Sequence, residues 1–187
     1  MPPNVVVAAV DLDTQANPES ADRVIGLDVS TGQLVLIPVD ALRGAVVDAN
    51  GDTLAVTEAL HAGRTIQFGK TTGTVCTLPA ALGTGNRYTF VIGVMATSGA
   101  NIIKVANSTD VMDGSLNIQQ DTDVDGTSKV WRADAGDDTM SFAGAATTGG
   151  LVGGRIECID YKAGFWSCIA YTQSGGGAEA TPFSATV

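Results

Sequence analysis

The chain has 187 residues, enough for one domain, or one domain and an arm, with a real core. Charged residues make up only 16% and glycines number 23, a balance of small and turn-forming residues that suits short strands and tight turns. The net charge is −10 and the ten basic residues are scattered singly. That excludes a phosphate-binding stripe for nucleic acid and disfavours an anionic membrane surface.

Met1-Pro2-Pro3-Asn4 lacks a basic start, and the apolar stretch at 5–10 runs straight into Asp11, so no secretory leader is expected. No run approaches the roughly 20 apolar residues of a membrane span. Residues 5–10 read as strand-like and 11–22 as polar, with turn material at Asn17-Pro18-Glu19-Ser20. Two β-rich runs, 24–29 and 34–37, flank Ser30-Thr31-Gly32-Gln33 and predict a hairpin. Pro38 ends its second strand, because proline cannot donate to a ladder. Residues 39–47 suit one or two helical turns, and Asn50-Gly51-Asp52 is a further turn.

A lone hairpin is marginally stable in water, so this one must lie on the rest of the chain, a sister chain or a partner. Its apolar residues, with those of the first strand, are the candidate contact set: Val5, Val6, Val7, Val24, Ile25, Leu27, Leu34, Leu36 and Ile37.

From Arg64 the rhythm changes. Strands are predicted at 65–68, 74–78, 87–95, 102–106, 115–120, 129–132, 139–142, 155–160 and 165–171, with a tail strand within 181–187. Turn-forming residues separate them at spacings typical of an all-β sandwich or barrel. No internal repeat is evident. The organisation expected is an extended arm at 1–62, a β-sandwich at 63–174, and a glycine-rich linker with a detachable tail at 175–187.

Chemistry is sparse. The one histidine, His61, sits at the junction of arm and sandwich and reads as structural. No serine lies in a Gly-x-Ser-x-Gly elbow. Cys76, Cys158 and Cys168 include no CxxC pair, so zinc is not indicated. They read as reduced core thiols, with a Cys158–Cys168 bridge across a hairpin left open.

Asp121-Thr122-Asp123-Val124-Asp125-Gly126 opens like a calcium loop, but Arg132 stands where the bidentate glutamate belongs and strands flank it. Asp121, Asp123 and Asp125 are therefore weak metal candidates beside the reading of a solvated turn. Gly83-Thr84-Gly85 precedes a strand and is a turn, not a phosphate loop. The carboxylate pairs Asp137/Asp138 and Asp110/Asp113 lie in turns, which argues against a glycosidase cleft. No catalytic residue and no cofactor are expected.

Several segments in order resemble a module of tailed-bacteriophage virion proteins, especially of short-tailed marine phages. They are His61-Ala62-Gly63-Arg64-Thr65-Ile66, Thr77-Leu78-Pro79-Ala80, Gly83-Thr84-Gly85-Asn86-Arg87-Tyr88-Thr89-Phe90-Val91, Ile103-Lys104-Val105-Ala106-Asn107, Asp110-Val111-Met112-Asp113-Gly114 and Ala180-Thr181-Pro182-Phe183-Ser184. Asp22-Arg23-Val24-Ile25-Gly26-Leu27-Asp28 resembles the attachment regions preceding such modules.

The resemblance implies a jelly-roll-like β-sandwich and a homotrimeric capsid decoration (cement) protein. Such a protein, made in the host cytoplasm, sits on the outer surface of the virion head and binds the major capsid protein. The arm residues named above would then be capsid or inter-subunit contacts. A head- or tail-fibre knob contacting the host is the alternative; the chain's stop at Val187 favours decoration. A carbohydrate-binding sandwich is the rival outside this family.

Overall fold

The computed structural model describes residues 23–28, 33–38, 46–120, 128–144, 147–175 and 179–187. The chain forms two compact units, Met1–Arg43 and Gly44–Val187. In the first, β1 (Arg23–Asp28) and β2 (Gln33–Pro38) form the predicted antiparallel hairpin. Its register sets Leu27 opposite Leu34, Ile25 opposite Leu36 and Val24 opposite Ile37. Pro38 is the last residue of β2, as its missing N–H requires.

The second unit is all-β, a sandwich of two sheets. Its strands are β3 (Val46–Ala49), β4 (Thr53–Ala55), β5 (Thr65–Phe68), β6 (Val75–Thr77), β7 (Arg87–Ile92) and β8 (Asn101–Lys104). They continue with β9 (Val111–Gln120), β10 (Ser128–Arg132), β11 (Thr139–Phe142), β12 (Arg155–Lys162), β13 (Phe165–Ser174) and β14 (Phe183–Ser184). A single helical turn, α1 (Glu58–His61), follows β4. One sheet has the order β10-β9-β13-β12-β7-β5-β3 and the other β14-β11-β8-β6-β4.

Alternation along the strands builds the core. Tyr88, Phe90 and Ile92 of β7 are buried, whereas Arg87, Thr89 and Val91 face outward. Phe68 and Phe90 stack at 5.8 Å, and Tyr88 meets Trp166 edge-on at 5.7 Å. Cys76, Ile103, Met140 and Phe142 of the smaller sheet complete the same cluster.

The jelly-roll-like expectation holds at the level of two facing sheets; the strand connections add a feature of their own. β3–β4, β5–β6 and β7–β8 form three successive coils, each with one strand in the larger sheet and the next in the smaller. Same-sheet neighbours among them run parallel. The turns of the coils stack through buried polar groups. Thr74 N–H donates to Asn101 Oδ1 at 3.3 Å, and the Thr74 hydroxyl lies 3.1 and 2.8 Å from the carbonyl oxygens of Ala49 and Gly51. Gly73, at φ 79°, is required there, since a Cβ would sit 2.1 Å from Ala100 O. From β9 onward the pairing is antiparallel, apart from β13 alongside β9.

Two expectations need correction, the arm boundary and the detached tail. The arm does not extend to residue 62: β3 pairs with β5 and β4 with β6, so residues 46–62 belong to the sandwich unit. Of the stretch 39–47, expected to suit one or two helical turns, residues 39–45 lie outside the described residues, and Val46 and Val47 open β3. The tail is not detached. Phe183 is buried, β14 pairs with β11, and Asp138 accepts hydrogen bonds from Thr186 N at 2.8 Å and Val187 N at 3.0 Å. Burial alone would raise the pKa of Asp138, but these bonds, with that from the Thr139 hydroxyl, hold it below the ordinary carboxylate value.

Candidate interaction face

The outer face of the seven-stranded sheet carries the most distinctive surface of the described residues. On β13, Trp166, Cys168, Ala170 and Thr172 point into the core, so Ser167, Ile169, Tyr171 and Gln173 point out. Register then fixes their neighbours. Val130, Asn117, Tyr171, Arg155 and Val91 form one row across β10, β9, β13, β12 and β7. Arg132, Ser115, Ile169, Glu157 and Thr89 form the next.

Around β13 the large apolar residues exposed on this face are Val130 (66%), Ile169 (44%) and Tyr171 (67%) on the strands, with Val152 (61%) on the loop entering β12. Tyr171 separates two open clefts. One, of about 250 Å³, is lined by Asn117, Gln119, Val152 and Gln173 among others; the other, of about 260 Å³, by Arg155, Glu157, Ile169 and Tyr171. Glu157 Oε2 lies 3.3 Å from Arg87 Nη1 and 3.9 Å from Arg155 Nη2, a flat charged cluster beside the apolar row.

Electrostatics set this face apart. Its outward charged residues on β7, β9, β10, β12 and β13 are Arg87, Arg132, Arg155 and Lys162 against Asp113 and Glu157. The chain as a whole carries ten basic and twenty acidic residues. Two copies approaching through this face therefore avoid the repulsion that opposes contact elsewhere.

The other sequence candidates fall in different places. Val24, Ile25, Leu27, Leu34, Leu36 and Ile37 lie together on the β1–β2 ladder. Val5, Val6 and Val7 lie outside the described residues, as do Asp121, Asp123 and Asp125. Among the described residues no group of three or more His, Cys, Asp or Glu side chains is placed to hold a metal. No described helix is long and apolar enough to cross a membrane.

His61 is buried at the end of α1, where its Nδ1 accepts the Thr57 N–H at 2.9 Å and closes the turn. The acidic residues weighed as sugar-hydrolysing pairs are engaged in holding loops. Asp110 accepts from Ala81 N and Asn107 Nδ2, both at 2.9 Å, and Asp137 accepts from Asp134 N at 2.7 Å. Asp113 accepts the Tyr161 hydroxyl at 2.6 Å, which raises the pKa of that phenol.

Sequence reading did not single out Val130, Val152 or Ile169. The available signal was the alternation of 165–171, which fixes two sets of residues but not which set faces water. No protein-family model matches this chain, and neither a curated protein nor a solved structure is significantly similar to it.

Proposed function

We propose that this chain is a non-enzymatic structural protein. In this reading it forms a homotrimer through the outer face of its seven-stranded sheet and coats the outside of a bacteriophage head as a decoration protein, stabilising contacts between major capsid subunits. The observation that carries self-association is the exposed row around Tyr171, without net acid in a chain of charge −10. At ~25 cal/mol per Å² of apolar surface, burial of such a row offsets part of the ordering cost of association. The viral setting rests on the ordered sequence resemblance alone. The hairpin residues Val24, Ile25, Leu27, Leu34, Leu36 and Ile37, with Val5, Val6 and Val7, are the proposed contacts to capsid or sister chain.

Light scattering tests the first half: the wild type should be a trimer, and Tyr171→Asp with Ile169→Asp should give a folded monomer. A monomeric wild type, or a trimer untouched by both substitutions, refutes it. Copy number on purified particles tests the second half, with hundreds per particle expected for decoration and tens or fewer for a fibre.

One observation favours a second reading. An exposed tyrosine rimmed by Asn117, Gln119 and Gln173 is also a platform on which a sugar ring stacks. Glycan-array binding lost on Tyr171→Ala would replace self-association with carbohydrate recognition.

A further inference from the structure

Cys158 on β12 and Cys168 on β13 stand directly opposite each other. Their Sγ atoms are 3.3 Å apart, and both residues are 0% exposed. The hydrogen-bond phase of the ladder decides what this pair can do. Asp160 N–H donates to Asn86 O, toward β7, at 2.9 Å. In an antiparallel strand, backbone groups two residues apart point to the same neighbour. Cys158 therefore directs its N–H and C=O at β7, where it is matched with Tyr88, and none at β13. The cysteines form a non-hydrogen-bonded pair, the type whose Cα atoms approach to about 4.5 Å and whose side chains lie closest. That spacing falls within the range a disulfide spans, about 4.4–6.8 Å between Cα atoms. The third thiol, Cys76, is buried on β6 of the opposite sheet, where its register neighbours are Leu54 and Ile103.

We propose that Cys158 and Cys168 are a modification site: they close to an intramolecular disulfide across β12 and β13 by exchange with a small-molecule disulfide, and Cys76 stays a thiol. The thiolate of one cysteine attacks the reagent, forming a mixed disulfide and releasing one reagent thiol. The second thiolate displaces the other. Two protein thiols and one reagent disulfide thus become one protein disulfide and two reagent thiols.

Burial sets the timing. The contact with Cys168 and desolvation hold the Cys158 thiol well above its ordinary pKa, and no reagent fits between the packed sheets. Exchange runs while β12 and β13 have paired but the second sheet has not closed over them. The bond then locks the hairpin at the centre of the larger sheet. This inference is independent of the proposed function.

The test is refolding of the full chain from denaturant in a glutathione redox buffer, followed by maleimide counting under denaturing conditions and peptide mapping. Two of the three thiols should be lost, with Cys158 and Cys168 peptides linked and Cys76 free. Cys76→Ser should give the same link. Cys168→Ser and Cys168→Ala should abolish it. The oxidised protein should melt about 5 °C higher than the reduced one. Three reactive thiols after oxidative refolding, or a link through Cys76, overturns the proposal. Both readouts come from the wild type, so they stand even where a serine or alanine variant fails to fold.

Discussion

Replacing Asp160 by asparagine should cost the sandwich about 2 kcal/mol at neutral pH, the cost of one lost charge-assisted bond and the neutralisation of the others. Asp160 is buried near the end of β12, and its carboxylate gathers the turn before β7. Oδ2 accepts from Leu82 N at 3.1 Å, Thr84 N at 3.1 Å and the Thr84 hydroxyl at 2.8 Å, and Oδ1 accepts from Gly83 N at 2.6 Å. Asparagine can place its carbonyl at the Oδ2 position and keep three weaker bonds. Its amide then faces the Gly83 N–H, donor against donor.

The pH dependence checks the cause. Burial would raise the pKa of Asp160, but the bonds from Thr84, Gly83 and Leu82 outweigh it and hold the pKa below its ordinary value. A carboxyl with a depressed folded pKa stabilises fully above its unfolded pKa, about 3.9, and loses that contribution as pH falls through the folded value. Urea melts of wild type and Asp160→Asn between pH 7 and pH 2.5 should therefore differ by a constant amount down to about pH 4 and converge below it. A gap unchanged at pH 3 would mean that the variant acts through packing alone, and the electrostatic argument fails.

Asp138→Ala should release Thr186 and Val187 and expose the C-terminus to carboxypeptidase, with a stability loss of about 2 kcal/mol from the lost bonds; a C-terminus as resistant as the wild type's contradicts the clamp. Gly114→Ala should cost roughly 3 kcal/mol in denaturant melts, because φ is 137° and the new Cβ would lie 1.9 Å from Cys168 O across the β9–β13 ladder. A loss under about 1 kcal/mol would place that pairing in doubt. On the proposed function, deleting residues 1–43 should leave the cooperative unfolding of the sandwich intact while abolishing binding to purified phage heads; full binding by the truncated chain would move the proposed attachment site off the arm.

The strand positions were legible because turn chemistry and alternation are local properties. The intervals 65–68 and 139–142 coincide with β5 and β11, and most of the others differ at their ends, where pairing and not sequence decides. The three parallel coils were not legible. A strand in a parallel pair alternates just as one in an antiparallel pair does. The coils also differ in turn length, since residues 50–52 join β3 to β4, 69–74 join β5 to β6, and 93–100 join β7 to β8. A repeat in space with unequal turns leaves no fixed period in the chain. The sequence makes the arm look too long for the same reason: β3 and β4 are short, and only their long-range parallel partners at β5 and β6 make them part of the sandwich.

The interaction face was hidden by composition on both sides of one strand. In β13 the inward set is Trp166, Cys168 and Ala170, and the outward set includes Phe165, Ile169 and Tyr171. Hydrophobicity cannot choose between two such sets. The choice is made across the ladder, where Asn117 and Arg155 flank Tyr171, and Ser115 and Glu157 flank Ile169. Those polar neighbours prefer water, so they turn the Ile169–Tyr171 side of β13 outward and leave Trp166 to Tyr88 in the core. The exposed apolar row is therefore a consequence of its polar neighbours, and replacing them tests it. Arg155→Leu together with Glu157→Leu would enlarge the apolar face without touching the core. Higher-order assembly seen by light scattering would be the expected result, and a chain that stays at the wild-type mass would argue that this face is not where copies meet.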